Sequence, residues 1–133
     1  MIKNKKQKGS NAERELIHML WNEGYAAIRA AGSGSCKYPV PDIIASNGAR
    51  RIAIECKITK ESSKHFYQEE INDLERFCKV FGAEGYIGIK FEKQDWFFFT
   101  IEDLRHTKGQ NFSISESDSS IKGLTFRQLL GFF

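Results

Sequence analysis

The chain has 133 residues, with 20 Lys and Arg against 17 Asp and Glu and a formal net charge of +3, which suits one domain with a core of its own. It carries no apolar run of membrane-spanning length and no signal-peptide pattern, so a cytoplasmic protein is expected. The three cysteines, Cys36, Cys56 and Cys78, form no close pair, which argues against both a disulfide framework and a zinc cluster. A small net charge makes a weak case for a polyanionic partner, but its distribution says more. Lys3, Lys5, Lys6 and Lys8 all precede the first acid and give residues 1–8 the character of a basic, mobile arm. Such an arm is commonly a solvated end, and it equally suits a phosphate backbone.

Residues 10–23 read as a helix, with Ser10 as N-cap, Leu16, Ile17, Leu20 and Trp21 as the apolar stripe and Gly24 as the stop. Glu13 has two readings. Ser10-x-x-Glu13 matches a capping box, in which the glutamate reaches back to the N-cap amide. Leu16, Ile17 and Leu20 also follow Glu13 at i+3, i+4 and i+7, which puts its carboxylate on the apolar face, where an acid wants a partner or a metal. Arg14 flanks the same region. A short strand over residues 25–30 places Arg29 on the face of Tyr25 and Ala27. The glycine- and serine-rich loop over 31–38, with Ser33, Ser35 and Lys37, serves as a flexible connection or as a phosphate cradle just before Asp42. Pro39 and Pro41 stiffen the approach to the next strand.

The densest chemistry lies in residues 41–57. Pro41-Asp42-Ile43-Ile44-Ala45 and Ile52-Ala53-Ile54-Glu55-Cys56-Lys57 flank an Asn47-Gly48 pair, which predicts an antiparallel hairpin. Alternation then puts Ala53, Glu55 and Lys57 on one face and Ile52, Ile54 and Cys56 on the other. Glu55 and Lys57 stand roughly 6.6 Å apart at their Cα atoms, at about 3.3 Å per residue. A turn near Asn47-Gly48 brings Asp42 alongside Glu55, so that two carboxylates and an ammonium share one small volume. Carboxylates are the hard ligands Mg2+ prefers, and a lysine there can orient a water or offset charge on a phosphate. A lone Glu-x-Lys would more often be a weak surface pair. The longer pattern, with Pro-Asp upstream, favours a site.

After a polar connection over 59–64, a helix is expected from about His65 or Tyr67 to Phe81, with Ile71, Leu74, Phe77, Cys78 and Phe81 as its stripe and Gly82 as its stop. Strands over 85–91 and 96–100 follow. Trp96-Phe97-Phe98-Phe99 is apolar on both faces, which suggests a second subunit against it, or a covering helix from 125–132 with a Thr125-x-x-Gln128 cap. Residues 113–120 are polar and read as a mobile loop. The resulting fold class is α/β, a mixed sheet flanked by helices, in a single domain over 1–133.

Pro41-Asp42, Glu55-Cys56-Lys57 and the upstream Glu13 together resemble the PD-(D/E)xK nuclease superfamily, which implies a restriction-endonuclease-like α-β-β-β-α-β core. Residues 9–16, 29–35, 41–45 and 54–57 in succession resemble the archaeal Holliday junction resolvase (Hjc) family. The resemblance spans the chain from Lys8 to the last helix, and departs at Cys56, where an aliphatic residue or methionine is usual, and over 60–68, which match loosely. It implies a metal-dependent endonuclease that resolves four-way DNA junctions by paired symmetric nicks in recombination and repair. Glu13, Asp42 and Glu55 would surround Mg2+, for which Mn2+ can substitute, with Asp42, Glu55 and the Cys56 carbonyl as direct ligands and Lys57 as the catalytic lysine. Arg14 and Arg29 would contact the phosphate backbone, and Ser33 and Ser35 the scissile strand. The resemblance also implies a homodimer at the nucleoid; a sliding clamp or branch-migration helicase is a candidate partner by analogy only. The competing readings are a restriction- or repair-type endonuclease acting on duplex or damaged DNA, an inactive junction-binding homologue, and an interaction module that binds no DNA.

Overall fold

In a computed structural model the described residues are 5–30, 37–105 and 111–132. The chain opens with α1 (Lys5–Asn22) and continues through β1 (Ala26–Arg29), β2 (Ile43–Ser46), β3 (Arg51–Thr59) and β4 (Ser63–Tyr67). Then come α2 (Gln68–Phe81), β5 (Glu84–Phe91), β6 (Phe97–Thr100), α3 (Ile101–Arg105), β7 (Asn111–Ser115), α4 (Glu116–Lys122) and α5 (Phe126–Leu129). Five strands form a sheet in the order β1-β2-β3-β5-β6. Only the β3–β5 pair is parallel, and α2 lies on its crossover; the other pairs in this sheet are antiparallel. The sheet is therefore mixed, flanked by helices, and of the expected class.

Strand alternation divides the core in two. On one face Leu16 and Leu20 of α1 and Leu129 of α5 pack on Ile43, Ile52, Ile54, Tyr86 and Phe98. On the other, Ile71, Leu74 and Cys78 of α2 join Phe66, Leu104, Phe112 and Ile114 over Ala53, Ile87, Ile89 and Phe99. Gly85 shows how closely α2 approaches the sheet: a Cβ there would lie 2.8 Å from the Cys78 Sγ.

Several expectations need correcting. Helix α1 begins at Lys5, so the last residues of the supposed arm are helical and Ser10 lies inside the helix rather than at its N-cap. Lys and Gln propagate a helix well, and they carry it through Gly9 despite that residue's cost of about 1 kcal/mol. The connection over 59–64 is shorter than expected, because β3 runs to Thr59 and β4 starts at Ser63. Strand β4 is thus inserted between the third core strand and α2. It forms its own two-stranded antiparallel sheet with β7.

Residues 113–120 are likewise regular, divided between β7 and α4, with the Ser115 hydroxyl accepting from the Asp118 amide at 3.1 Å. Phe112 and Ile114 are buried on either side of exposed Ser113. That alternation is short, and its pairing partner β4 lies far back in the chain.

The Trp96–Phe99 run is covered from within the chain, so it gives no sign of a second subunit. Phe98 exchanges backbone hydrogen bonds of 2.8 Å with Leu124 and meets the Phe126 ring at 6.4 Å. On the other face Phe99 packs with Leu104. The covering helix α5 has its expected cap: the Thr125 hydroxyl accepts from Gln128 N at 3.2 Å, and Gln128 Oε1 from Thr125 N at 2.9 Å. Phe98 is fully buried where α5 closes on the sheet. Phe98→Ala is expected to lower the unfolding free energy by about 3–5 kcal/mol in denaturant titrations. Among the described residues no helix is long and apolar enough to cross a membrane.

Candidate active site

The hairpin of β2 and β3 closes through residues 47–50. Gly48 takes φ 95°, and Asn47 Oδ1 accepts from the amides of Ala49 and Arg50 at 3.0 and 2.7 Å. This Asx turn fixes the register, with Ser46 opposite Arg51 and Ile43 opposite Ile54. One further step along that register sets Asp42 beside Glu55, as the sequence suggested. Asp42 Oδ2 accepts from the Cys56 amide at 2.8 Å, so the neighbouring strand itself orients the carboxylate.

Glu55 hydrogen-bonds Asp42, and its carboxyl is held well above the usual carboxylate range. Burial is the largest cause, followed by the hydrogen bond and charge of Asp42; the charge of Lys57 opposes them. Two acids pressed together in a partly dry site call for a proton or a cation between them. Burial opposes the charge on Lys57, yet the hydrogen bond and charge of Glu70, with the charges of Glu55 and Asp42, raise its pKa. Its Nζ lies 2.5 Å from Glu70 Oε1. Cys56 faces the opposite, buried side, and burial first of all pushes its thiol well up. Its side chain is a core group, as the alternation required.

Glu13 approaches from the α1 side. Burial and then the charge of Asp42 raise its pKa, against the Arg29 and Arg14 charges. Arg29 Nε meets Glu13 Oε1 at 3.2 Å, and Arg29 Nη2 donates to Ser10 Oγ at 2.7 Å. Arg29, expected on the phosphate backbone, is thus turned onto α1, and the Ser10 hydroxyl is used for that contact rather than for capping. Arg14 is exposed, donates to Asn11 Oδ1 at 3.5 Å, and its charge acts on Glu13. Lys37 is exposed, its ammonium 5.5 Å from the centre of the Tyr38 ring. Ser33 and Ser35 lie outside the described residues.

Among the described residues no three His, Cys, Asp or Glu side chains are arranged to hold a metal ion together. With Glu13 committed to Arg29, the carboxylate set that fits a cation is the Asp42–Glu55 pair. That is a suitable set for Mg2+, which usually takes one or two protein carboxylates and fills its remaining positions with water and phosphate oxygens. Two features were missed from sequence: the Cys56 amide as the anchor of Asp42, and Glu70 as the partner of Lys57. The second left a faint signal, an acid in the first turn of the helix after the lysine strand.

An α-β-β-β core with one carboxylate just before the second strand, its pair on the third, and a lysine two residues beyond the second carboxylate, defines a nuclease of the restriction-endonuclease-like class. The profile described as archaeal Holliday junction resolvase (Hjc) matches residues 4–133. The chain is 41% identical over 128 residues to the crossover junction endodeoxyribonuclease Hjc of Archaeoglobus fulgidus, covering 96% of this chain and 93% of that protein. It is 33% identical to the enzyme of the same name from Methanocaldococcus jannaschii, over 98% and 92% of the two chains. The solved structure of the Archaeoglobus fulgidus Hjc, described as a Holliday junction resolvase, superposes with a TM-score of 0.83 at 39% identity, over 95% and 98% of the chains. A bacterial homing endonuclease shares the fold alone, with a TM-score of 0.52 at 13% identity over 92% and 83%. The chain belongs to the archaeal Holliday junction resolvase (Hjc) family.

Proposed function

We propose that this chain resolves four-way DNA junctions by metal-dependent phosphodiester hydrolysis, with Asp42, Glu55 and Lys57 as its reacting centre. The observation that carries the reading is the Asp42–Glu55 carboxylate pair beside Lys57, in a chain of a junction-resolving family. Asp42 and Glu55 would hold Mg2+ or Mn2+, and the bound ion supplies Lewis-acid charge at the scissile phosphate. The Cys56 amide keeps the Asp42 carboxylate in place. The Lys57 ammonium donates to the oxygen of the attacking water and offsets charge gathering on the phosphate. In-line attack by that water forms a new P–O bond and breaks the bond to the 3′ oxygen; the water gives up its proton to solvent and the departing 3′ oxygen takes one from solvent, leaving a 5′-phosphate and a 3′-hydroxyl. Glu13, held by Arg29, adds negative charge at the rim, while exposed Arg14 and Lys37 contact backbone phosphates rather than base edges. Such an enzyme serves recombination and repair at the nucleoid.

The same reading includes a homodimer, because a two-fold pair of centres matches the symmetry of the junction and yields paired nicks. Its support is an apolar surface at the C-terminal end of α2. Phe77 and Phe81 stack there at 5.1 Å, Pro39 lies beside them, and Val80 is 85% exposed. Isolated exposed apolar residues are ordinary, but a cluster of this kind favours a protein partner, and a second copy supplies the symmetry the substrate needs.

The test is cleavage of a labelled four-way junction beside a duplex of one arm, in Mg2+ and in EDTA. Paired nicks near the branch point, dependence on Mg2+, and an intact duplex are expected. Junction affinity should fall by roughly tenfold or more between about 50 and 200 mM salt. Equal cutting of the duplex would make it a general endonuclease, and binding without cutting an inactive homologue.

A further inference from the structure

A lysine ammonium rides on a flexible four-carbon stem with many rotamers open to it, so a lysine that aims a water molecule must be held. Lys57 is held by Glu70, the third residue of α2. The two oxygens of that carboxylate have different tasks: Oε2 accepts from the Tyr67 amide at the start of the helix, at 3.0 Å, and Oε1 takes the Lys57 ammonium at 2.5 Å. Capping the helix needs only the first of these. The second joins α2 to β3, elements that are separate in sequence, and it does so with both side chains mostly shielded, 23% and 29% exposed. Solvent and salt weaken such a pair less than one on the open surface. Helix α2 is itself fixed by Ile71, Leu74 and Cys78 in the core, so the anchor is rigid.

We propose that Glu70 is a positioning residue for junction cleavage, acting through Lys57 by clamping its ammonium to the first turn of α2. One of the three ammonium protons is spent on the clamp, and two remain for the attacking water and the phosphate. The inference rests on the reading of Lys57 as the residue that orients the water.

The experiment measures single-turnover junction cleavage in Mg2+ for the unmodified protein, Glu70→Gln, Lys57→Ala and the double variant, together with junction affinity. Proton–nitrogen correlation spectra of the lysine ammonium groups are recorded alongside, with Lys57→Arg identifying the Lys57 signal. Glu70→Gln should lower the cleavage rate by about 10- to 100-fold, the cost of a misplaced catalytic group, while affinity stays within about twofold. The Lys57 ammonium signal should broaden or vanish as its protons begin to exchange with water. In the Lys57→Ala background the same substitution should change the residual rate by less than about twofold, since the clamp then has nothing to hold.

A persistent, unshifted Lys57 signal in Glu70→Gln would overturn the clamp even if the Lys57→Ala rate were too slow to follow. So would an undiminished cleavage rate, or a full further loss in the Lys57→Ala background. An inert Lys57→Ala beside a fully active Glu70→Gln would remove the clamp alone. A fully active Lys57→Ala would remove the role assigned to Lys57, and the clamp with it.

Discussion

Glu55→Gln is expected to slow junction cleavage by at least about 10³-fold while leaving a folded protein that binds the junction. The amide has nearly the shape of the carboxylate but neither its charge nor its affinity for a hard cation, so the loss falls on chemistry rather than on architecture. The same substitution should raise stability at neutral pH in EDTA. Burial, then the hydrogen bond and charge of Asp42, lift the folded-state pKa of Glu55 above its ordinary value of 4.5. The folded state therefore binds that proton more tightly than the unfolded state does. The stabilisation this brings is complete below 4.5 and is lost as pH rises through the raised folded-state value. Thermal melts of the metal-free protein should accordingly show a midpoint that falls from about pH 5 toward alkaline pH, with a shallower fall in Glu55→Gln. Mg2+ should restore stability to the unmodified protein and do little for the variant. A variant that cuts at the normal rate, or one that melts below the unmodified protein at neutral pH, would remove Glu55 from the centre.

The second large effect concerns assembly. Val80→Glu combined with Phe81→Glu is expected to turn the proposed dimer into a sedimenting monomer and to abolish paired nicking. Val80 is 85% exposed and Phe81 48% exposed in the single chain, so charges there disturb its fold little. Across a two-fold interface the same charges appear twice and face their own copies, and like charges that also lose water cost far more than the apolar contacts they replace. The proposed reacting centre lies at the other end of α2, where Lys57 meets Glu70 in the first turn, so single nicks should persist where paired ones fail. Sedimentation equilibrium reads the mass and a cruciform plasmid reads the coupling of the two cuts. An unmodified protein that sediments as a monomer, or a variant that stays dimeric, would move the interface elsewhere or dispense with it.

Local rules made much of this molecule legible in advance. Asn47-Gly48 between two β-branched runs dictates a hairpin, and a period of two then puts Glu55 and Lys57 on one face and Cys56 in the core. The caps of α2 and α5 were equally readable, because Gly82 adopts φ 83° and Thr125 and Gln128 satisfy each other's amides over three residues. Such features depend on neighbours in the chain, and the sequence states its neighbours.

What the tertiary structure alone decided depends on groups far apart in sequence. Ser10 was available to Glu13 as a cap, but the Arg29 guanidinium, brought alongside by β1, competes for both side chains and takes them. Strand β7 exists because β4 offers it a hydrogen-bonded edge, and no property of a serine-rich segment shows that edge. The aromatic run of β6 turned inward on both faces once α5 and Leu104 closed over it, which removed its apparent need for a partner. Glu70 reaches Lys57 because the parallel crossover lays the first turn of α2 beside β3. Periodicity determines which way a side chain points; only the packing of distant elements determines what it meets there.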